Sequence, residues 1–414
     1  MKPEPIEIYD IGVIGGGIAG AAIARDAALR GLRVVLFEKN TFGSGTSSKS
    51  SKLIHGGIRY LELAWKALCF ANFPEAWKNF CFVFVSLRES RILRRIAPGL
   101  VEPLPLFIPI YRSDKRNPWM IYLGTWLYFI LATFAGGAKL PQVRSGAKKA
   151  LETVPALEPD GLLGGVGIWD FHVDDRALVE ATIASAVKNG ARCFEHATVT
   201  HYEHDAASNT YLVRVAEQKE EREVHVRKLI NASGPWVDKT RALGREREKD
   251  YVLPVAGSHI TLPSFLPSSV LLQAQDGRFF FVIEQKSGAR VGTTERVTKE
   301  LDGIKPSEEE VDYLLASLNR YFPGKNFSKK DILSQDAGAR PLSAPASTRN
   351  PNEIPRDHEI RVSRSGCIHM IGVKLTDHRR AAEEVLDRLI PLLLPFNAKL
   401  RRKTQTHRLP LIES

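Results

Sequence analysis

The chain has 414 residues, 43% of them apolar and 25% charged, an ordinary balance for a globular protein and enough length for two to three domains with a large core. Lys and Arg outnumber Asp and Glu by 58 to 47, a net charge of +11. No Arg/Lys block is interleaved with aromatics, so nucleic-acid binding is set aside. A solvated basic face, an anionic substrate or an anionic lipid surface remain.

The first elements form a complete βαβ unit. An apolar run through Ile14 turns through Gly15, Gly17 and Gly20 in G-x-G-x-x-G positions. An Ala-rich helix follows from Ala21 to Arg30, stopped by Gly31, and a second apolar run, Val34 to Phe37, ends on Glu38. Gly15 permits the tight turn, Gly17 lets a pyrophosphate approach the backbone, and Gly20 lets helix and strand pack closely. The helix start, Ile18 and Ala19, offers amides and a partial positive charge to phosphates. Glu38, with Lys39 beside it, suits a ribose 2′-OH and repels a 2′-phosphate, which leaves FAD or NAD as the dinucleotide.

Thr41 to Lys52 is dense in small hydroxylated residues and alone reads as a linker. It runs unbroken into Leu53-Ile54-His55-Gly56-Gly57-Ile58-Arg59-Tyr60-Leu61. With Ser51-Lys52 before it, this segment resembles the flavin-contacting signature of FAD-dependent glycerol-3-phosphate dehydrogenases, members of the D-amino-acid-oxidase-like flavoprotein superfamily. The resemblance extends over roughly residues 8 to 412 and implies cofactor contacts from Ser47, Ser51, Lys52, His55, Gly56 and Gly57.

Residues 64 to 100 read as helical, with an aromatic stripe (Trp65, Phe70, Phe73, Trp77, Phe80, Phe82, Phe84) of the kind that usually enters a core. Trp119 to Gly136 carries no charge and just reaches the length of a membrane span. Its glycines and threonines, and its place inside a globular domain, favour a buried helix, as in the resembled family. Its Trp and Tyr content, flanked by Arg112, Lys115, Arg116 and Lys139, suits monotopic membrane contact as the alternative.

Pro155 to Asp170 is Gly-rich and loop-like. Arg176 to Asn189 is a helix with Asp174 or Asp175 as N-cap and Gly190 as stop. Ala191 to His204, with Val199 near its centre, reads as a strand of the nucleotide sheet, and residues 217 to 228 as a charged hairpin. Asn231-Ala232-Ser233-Gly234-Pro235-Trp236 follows an apolar strand and is similar to a second cofactor signature of the family. Two separated nucleotide segments indicate an extended FAD rather than NAD, with Val199, Ala232, Gly234 and Trp236 against it.

From Tyr251 the texture changes to short alternating strands, an antiparallel substrate sheet. Ser307 and Glu310 predict a capping box for a helix to Tyr321. The resemblance then assigns Gly257-Ser258-His259, Gly338-Ala339-Arg340-Pro341-Leu342, Arg356-Asp357-His358 and Gly372-Val373-Lys374-Leu375-Thr376 to the site. Gly372, Lys374, Leu375 and Thr376 precede a helix, Arg379 to Leu394, whose amides can face a flavin. A dianionic phosphate is best held by Arg forks and Lys point charges, and Arg59, Arg340, Arg356 and Lys374 are candidates, with Tyr60 beside them. The catalytic candidates are His55, His259, Arg59 and Lys374. Either histidine suits the base that takes the hydroxyl proton, and the sequence leaves that choice open.

The resemblance implies an α/β fold, a Rossmann-like FAD-binding domain with an interleaved mixed or antiparallel substrate sheet (glutathione-reductase-2/D-amino-acid-oxidase-like). The expected boundaries are 8–62, 151–250 and 357–398 for the FAD domain, and 63–150 and 251–356 for the substrate region. The tail, 399–414, stops where many members begin a helical cap. The implied activity is oxidation of sn-glycerol 3-phosphate to dihydroxyacetone phosphate, with electrons passed to a membrane quinone. The implied place is cytoplasmic, peripheral to the inner face of the cell membrane, with a homodimer left open. Val373 in place of a second glycine should crowd the flavin, and Asp377 should add an acid near the substrate. The competing readings are an oxidase or dehydrogenase of another hydroxy acid or amine, and a redox-degraded flavin-binding scaffold.

Cys69, Cys81, Cys193 and Cys367 form neither C-x-x-C nor a metal-like spacing, which predicts reduced, mostly buried thiols and no metal site. Met1 to Glu7 lacks the pattern of a signal peptide.

Overall fold

The computed structural model describes residues 7–344 and 357–412, apart from 219, 247, 248, 398 and 402. Among these, two sheets organise the chain. In the first, Ile8–Ile14 lies between Glu220–Asn231 and Val34–Phe37, all parallel, with Ile368–Ile371 and Arg192–Phe194 extending the parallel run on either side. A strand enclosed this way is buried on both faces, which is why Ile8–Ile14 and Val34–Phe37 are nearly continuous apolar runs.

One face of this sheet, with Ile11, Val13, Val34 and Leu36, packs under helices Ile18–Leu29, Asp175–Lys188 and His378–Leu393. The other face, with Ile14, Val35 and Phe37, is covered by an antiparallel flap of Ala197–Asp205, Thr210–Glu217 and the first half of Glu220–Asn231. The charged hairpin expected at 217–228 is the turn of this flap. The single strand expected over 191–204 is two, Arg192–Phe194 and Ala197–Asp205, separated at His196, whose φ of 54° breaks an extended run.

The second sheet is mostly antiparallel. Its backbone is the pair Val101–Tyr111 with Leu162–Val173 and the pair Val252–Leu262 with Ser334–Ser343. The Gly-rich stretch expected as a loop at 155–170 is therefore largely strand. A Cβ on Gly165 would collide with the Phe107 ring and lie 2.8 Å from the Ile108 carbonyl oxygen, so glycine here admits a bulky neighbour and does not loosen the chain. This also moves a domain boundary. Residues 162–173 belong to the second sheet, as does Leu53–Ile54, and the chain re-enters the nucleotide domain at Asp175–Lys188. That helix is capped by Asp174, which accepts from the Ala177 amide, and Glu308–Asn319 carries the expected Ser307/Glu310 capping box.

Three helices lie on the second sheet and on one another: Arg59–Cys69, Phe73–Ile96 and Pro118–Phe134. Asn72 and Asn117 cap the latter two, each followed by a proline in the first turn. Their packing corrects two expectations. Helix Pro118–Phe134 buries only Thr125, Tyr128 and Ala132, while Trp119, Leu123, Trp126, Ile130 and Phe134 are exposed. Trp65, Phe70, Phe73 and Trp77 of the aromatic stripe are exposed as well. No helix among the described residues is long and apolar enough to cross a membrane. The cysteines are free, but Cys69 and Cys81 are exposed because they lie on outward helix faces, and only Cys367 is fully buried.

Candidate active site

A cavity of about 1000 Å³ runs from the carboxyl ends of the first sheet to the second sheet. Its nucleotide end is backbone-walled. Gly15 holds φ at +107°, and a Cβ there would lie 2.7 Å from the Ala232 carbonyl oxygen. Gly20 does not line the cavity; it lies under the Gly15 carbonyl, where any side chain would clash. Gly17, Ile18 and Ala19 line it at the start of Ile18–Leu29, which has no side-chain cap at Gly17, while the Ile18 amide donates to Ser47 Oγ at 3.0 Å. Glu38 accepts from the amides of Gly16 (2.7 Å) and Asn40 (2.9 Å), which fixes its carboxylate beside the cavity. Lys39 pairs with Asp302 at 2.8 Å and lies over the Trp236 ring; Val199, Ala232 and Gly234 complete this end.

Two further expected cofactor contacts, besides Gly20, fall behind the wall. Lys52 pairs at 2.9 Å with the fully buried Asp175 and does not line the cavity; Lys49 does. Gly56 is not a lining residue either, since a Cβ there would meet Leu87 and the Tyr128 hydroxyl. The turn belongs to Gly57, at φ +73°.

Residues from distant segments line the rest of the cavity. His55 donates its main-chain N–H to Thr376 Oγ1 at 3.4 Å and accepts at Nδ1 from the Gly57 amide at 3.0 Å. With Nδ1 accepting, the neutral ring carries its hydrogen on Nε2. Lys374 Nζ lies 3.8 Å from the Phe82 ring centre, 4.9 Å from that of Tyr60 and 3.3 Å from the Tyr60 hydroxyl. Arg340 donates to Thr293 Oγ1 at 2.8 Å and stands 3.5 Å from Glu295. The neighbouring strand offers Gly257 there, where a Cβ would press on the guanidinium. His259 is 2% exposed with Nε2 at 2.9 Å from Ser51 Oγ. Burial, then the charges of Arg290 and Arg340, push its pKa well below the ordinary imidazole value, so it is neutral at physiological pH.

Arg59 opens its helix, but its side chain is outside what the structure describes, and Arg356 lies outside the described residues. Asp377 is not a lining residue: it is buried, with Ser86 Oγ 3.3 Å away and its carboxyl raised by desolvation, so the acid expected near the substrate is absent from the cavity. Val373 lines the cavity and also packs on the first core, while Gly372 takes the positive φ of the turn. Sequence reasoning missed Phe82, Glu295, Arg116 and Arg278, all lining residues. Each carried a signal read otherwise: Phe82 belonged to the aromatic stripe, Arg116 flanked the apolar helix, Arg278 opened an apolar strand, and Glu295 ended the run Gly292-Thr293-Thr294-Glu295, which is similar to a family motif.

A parallel sheet with a glycine turn at its carboxyl edge, and a long cavity leading to a second sheet, define a dinucleotide-dependent oxidoreductase. The glycine-walled end, the Glu38 carboxylate and the length of the cavity fit FAD. The FAD dependent oxidoreductase (DAO) family model matches residues 10–373. The chain is 34% identical over 389 residues to an aerobic glycerol-3-phosphate dehydrogenase of Bacillus subtilis, covering 92% of this chain and 66% of that one. It is 35% identical to a glycerol-3-phosphate dehydrogenase of Synechocystis, covering 92% and 70%. The structure of a Bacillus halodurans glycerol-3-phosphate dehydrogenase complexed with FAD superposes with a TM-score of 0.75 at 27% identity, over 97% of this chain and 67% of that one. The chain belongs to the FAD-dependent oxidoreductases of the D-amino-acid-oxidase type, in the glycerol-3-phosphate dehydrogenase family, and its cofactor is FAD. It spans about two thirds of the length of these relatives.

Proposed function

We propose that the chain oxidises sn-glycerol 3-phosphate to dihydroxyacetone phosphate and delivers the electrons to a membrane quinone. The observation that carries this reading is that Arg340 and Lys374, from separate segments, both line the one cavity that His55 also lines. Bound in the cavity, FAD would supply the hydride acceptor. Arg340 offers a fork to the phosphate that Glu295 now shares, and Lys374, held between Tyr60 and Phe82, adds a point charge. His55, with Nε2 already protonated, would donate Nε2–H to the substrate's hydroxyl oxygen and align it, and the hydroxyl proton released as hydride leaves carbon for the flavin would pass to water in the cavity. His259 is set aside as the base, because an imidazole held neutral beside two guanidinium groups takes up a proton only in acid.

Anaerobic addition of glycerol 3-phosphate to the FAD-loaded protein should bleach the visible flavin absorbance. Bleaching by another hydroxy acid or an amine, but not by glycerol 3-phosphate, would favour the related-substrate reading. A bound flavin that no candidate reduces would favour the scaffold.

The quinone and the inner face of the membrane rest on the exposed apolar residues of the three-helix layer, Trp119, Trp126 and Phe134 with Trp65, Phe73 and Trp77. An apolar face with interfacial tryptophans on a basic protein suits monotopic attachment. Sedimentation with anionic vesicles tests it, and failure to co-sediment would remove the membrane from the reading.

A further inference from the structure

His55 sits on a loop whose support comes from two residues that the chemistry above leaves unused. The Gly56 N–H donates to the Tyr128 hydroxyl at 2.8 Å, and that hydroxyl donates to Asp170 Oδ1 at 2.6 Å. Tyr128 is 3% exposed and Asp170 5%; Tyr128 does not line the cavity, while Asp170 borders it from the second sheet. They come from different elements, helix Pro118–Phe134 and strand Leu162–Val173, so the one bond that reaches the loop, from Tyr128, is braced from a second element by Asp170. A Cβ on Gly56 would lie 2.5 Å from Leu87 and 2.8 Å from the Tyr128 oxygen, so the peptide has no other place to go. A buried acid is costly, and an apolar pair of the same volume would hold a helix on a strand at least as well. A function for the pair lies in what it grips.

We infer that Tyr128 and Asp170 are positioning residues, which hold the Gly56 amide and so fix the direction in which His55 presents Nε2 to the substrate. The inference rests on the proposed oxidation at this cavity. The groups facing Asp170 are Tyr128, Arg91 of helix Phe73–Ile96 and the Gly56 amide, and its strand partner is Leu104. Burial raises the carboxyl to about 7, against smaller lowering effects from Tyr128, Arg91 and Gly56. Above that pH the acid is an anion, the Tyr128 O–H must donate to it, and the hydroxyl oxygen is left to accept from Gly56. Below it the carboxyl O–H competes with the Gly56 amide for the same oxygen, and the loop is held less firmly.

The test compares FAD-loaded wild type, Tyr128→Phe and Asp170→Asn by amide hydrogen exchange of the 53–58 segment and by anaerobic flavin reduction with glycerol 3-phosphate across neutral pH. In Tyr128→Phe, exchange at 53–58 should quicken roughly tenfold, as expected for one lost hydrogen bond, with residues 8–14 unaffected. Its limiting reduction rate should fall on the order of tenfold to a hundredfold with KM nearly unchanged, because orientation is lost and the phosphate grip is not. Wild type should show a limb near pH 7 in both exchange and rate, and Asp170→Asn should lack it. Unchanged exchange and an unchanged pH profile would overturn the inference; so would faster exchange spread equally over residues 8–14, the mark of a merely structural role. If glycerol 3-phosphate fails to reduce wild type at all, the substrate reading falls. The exchange measurements then still decide for or against the positioning pair.

Discussion

Arg340 reaches the cavity through space that Gly257 leaves open on the adjoining strand, and its charge is already shared with Glu295. A charge-assisted bond to phosphate is worth about 1.5–3 kcal/mol. Arg340→Ala should therefore raise the KM for glycerol 3-phosphate on the order of tenfold to a hundredfold, read by steady-state reduction of an artificial acceptor. Gly15 is constrained from the other side, by a positive φ and by the Ala232 carbonyl. Gly15→Ala should yield folded protein with little FAD, measured as the flavin-to-protein absorbance ratio. Asp170 links the site to stability. Its folded pKa of about 7 lies above the ordinary 3.8, so its contribution is fully present below 3.8 and is lost as pH rises to about 7. Urea midpoints at about pH 5 and about pH 8 should shift in favour of Asp170→Asn over wild type as the pH rises through that window. At this scale the sequence named Glu38, His55, Arg340 and Lys374, each in a short pattern, and all four line the cavity. Lys52, also named, does not: its partner, Asp175, is remote in sequence, and nothing local says that the lysine turns away from the cofactor.

Helix Phe73–Ile96 is tied to helix His378–Leu393 by Arg379, which binds Glu89 through two contacts of 2.6 and 2.7 Å with both side chains buried. Removing Glu89 leaves Arg379 with Glu383, 2.8 Å away, as its remaining carboxylate, so the loss should fall at or below the low end of the about 3–5 kcal/mol of a stranded buried charge. Glu89→Ala should show it as a lower urea midpoint, and because helix His378–Leu393 directly follows the Lys374 segment, FAD retention should weaken in parallel. The helices themselves were readable from caps and prolines, which are local features. The side on which each would be buried was not. Helix Pro118–Phe134 is apolar nearly all round, so its periodicity names no face, and the partner that covers Tyr128 but leaves Trp126 bare is a matter of tertiary packing. The same holds for strand Leu162–Val173, whose glycines imitate a loop until the Phe107 ring is seen lying against Gly165.

Over the whole molecule, two sheets organise the chain, which crosses between them several times. The cavity lies at that junction, with the three-helix layer exposing its aromatic residues beside it. If that layer rests on a membrane, Trp119→Ser with Trp126→Ser should cut binding to anionic vesicles. Added salt should weaken wild-type binding only in part, since an apolar contribution is not screened. Solution reduction by glycerol 3-phosphate should be unaffected in that double variant.

The sequence by itself determined the dinucleotide unit, the class of cofactor and the family, because these depend on short spacings that chemistry constrains directly. Only the tertiary structure decided which cations face the cavity, where the domain boundary falls, that Asp377 is withdrawn from the site, and that Tyr128 and Asp170 stand behind His55. Each of those depends on contacts between residues far apart in the chain. Burial and bonding at such contacts are set by how the two sheets and their helices pack, which no local pattern records.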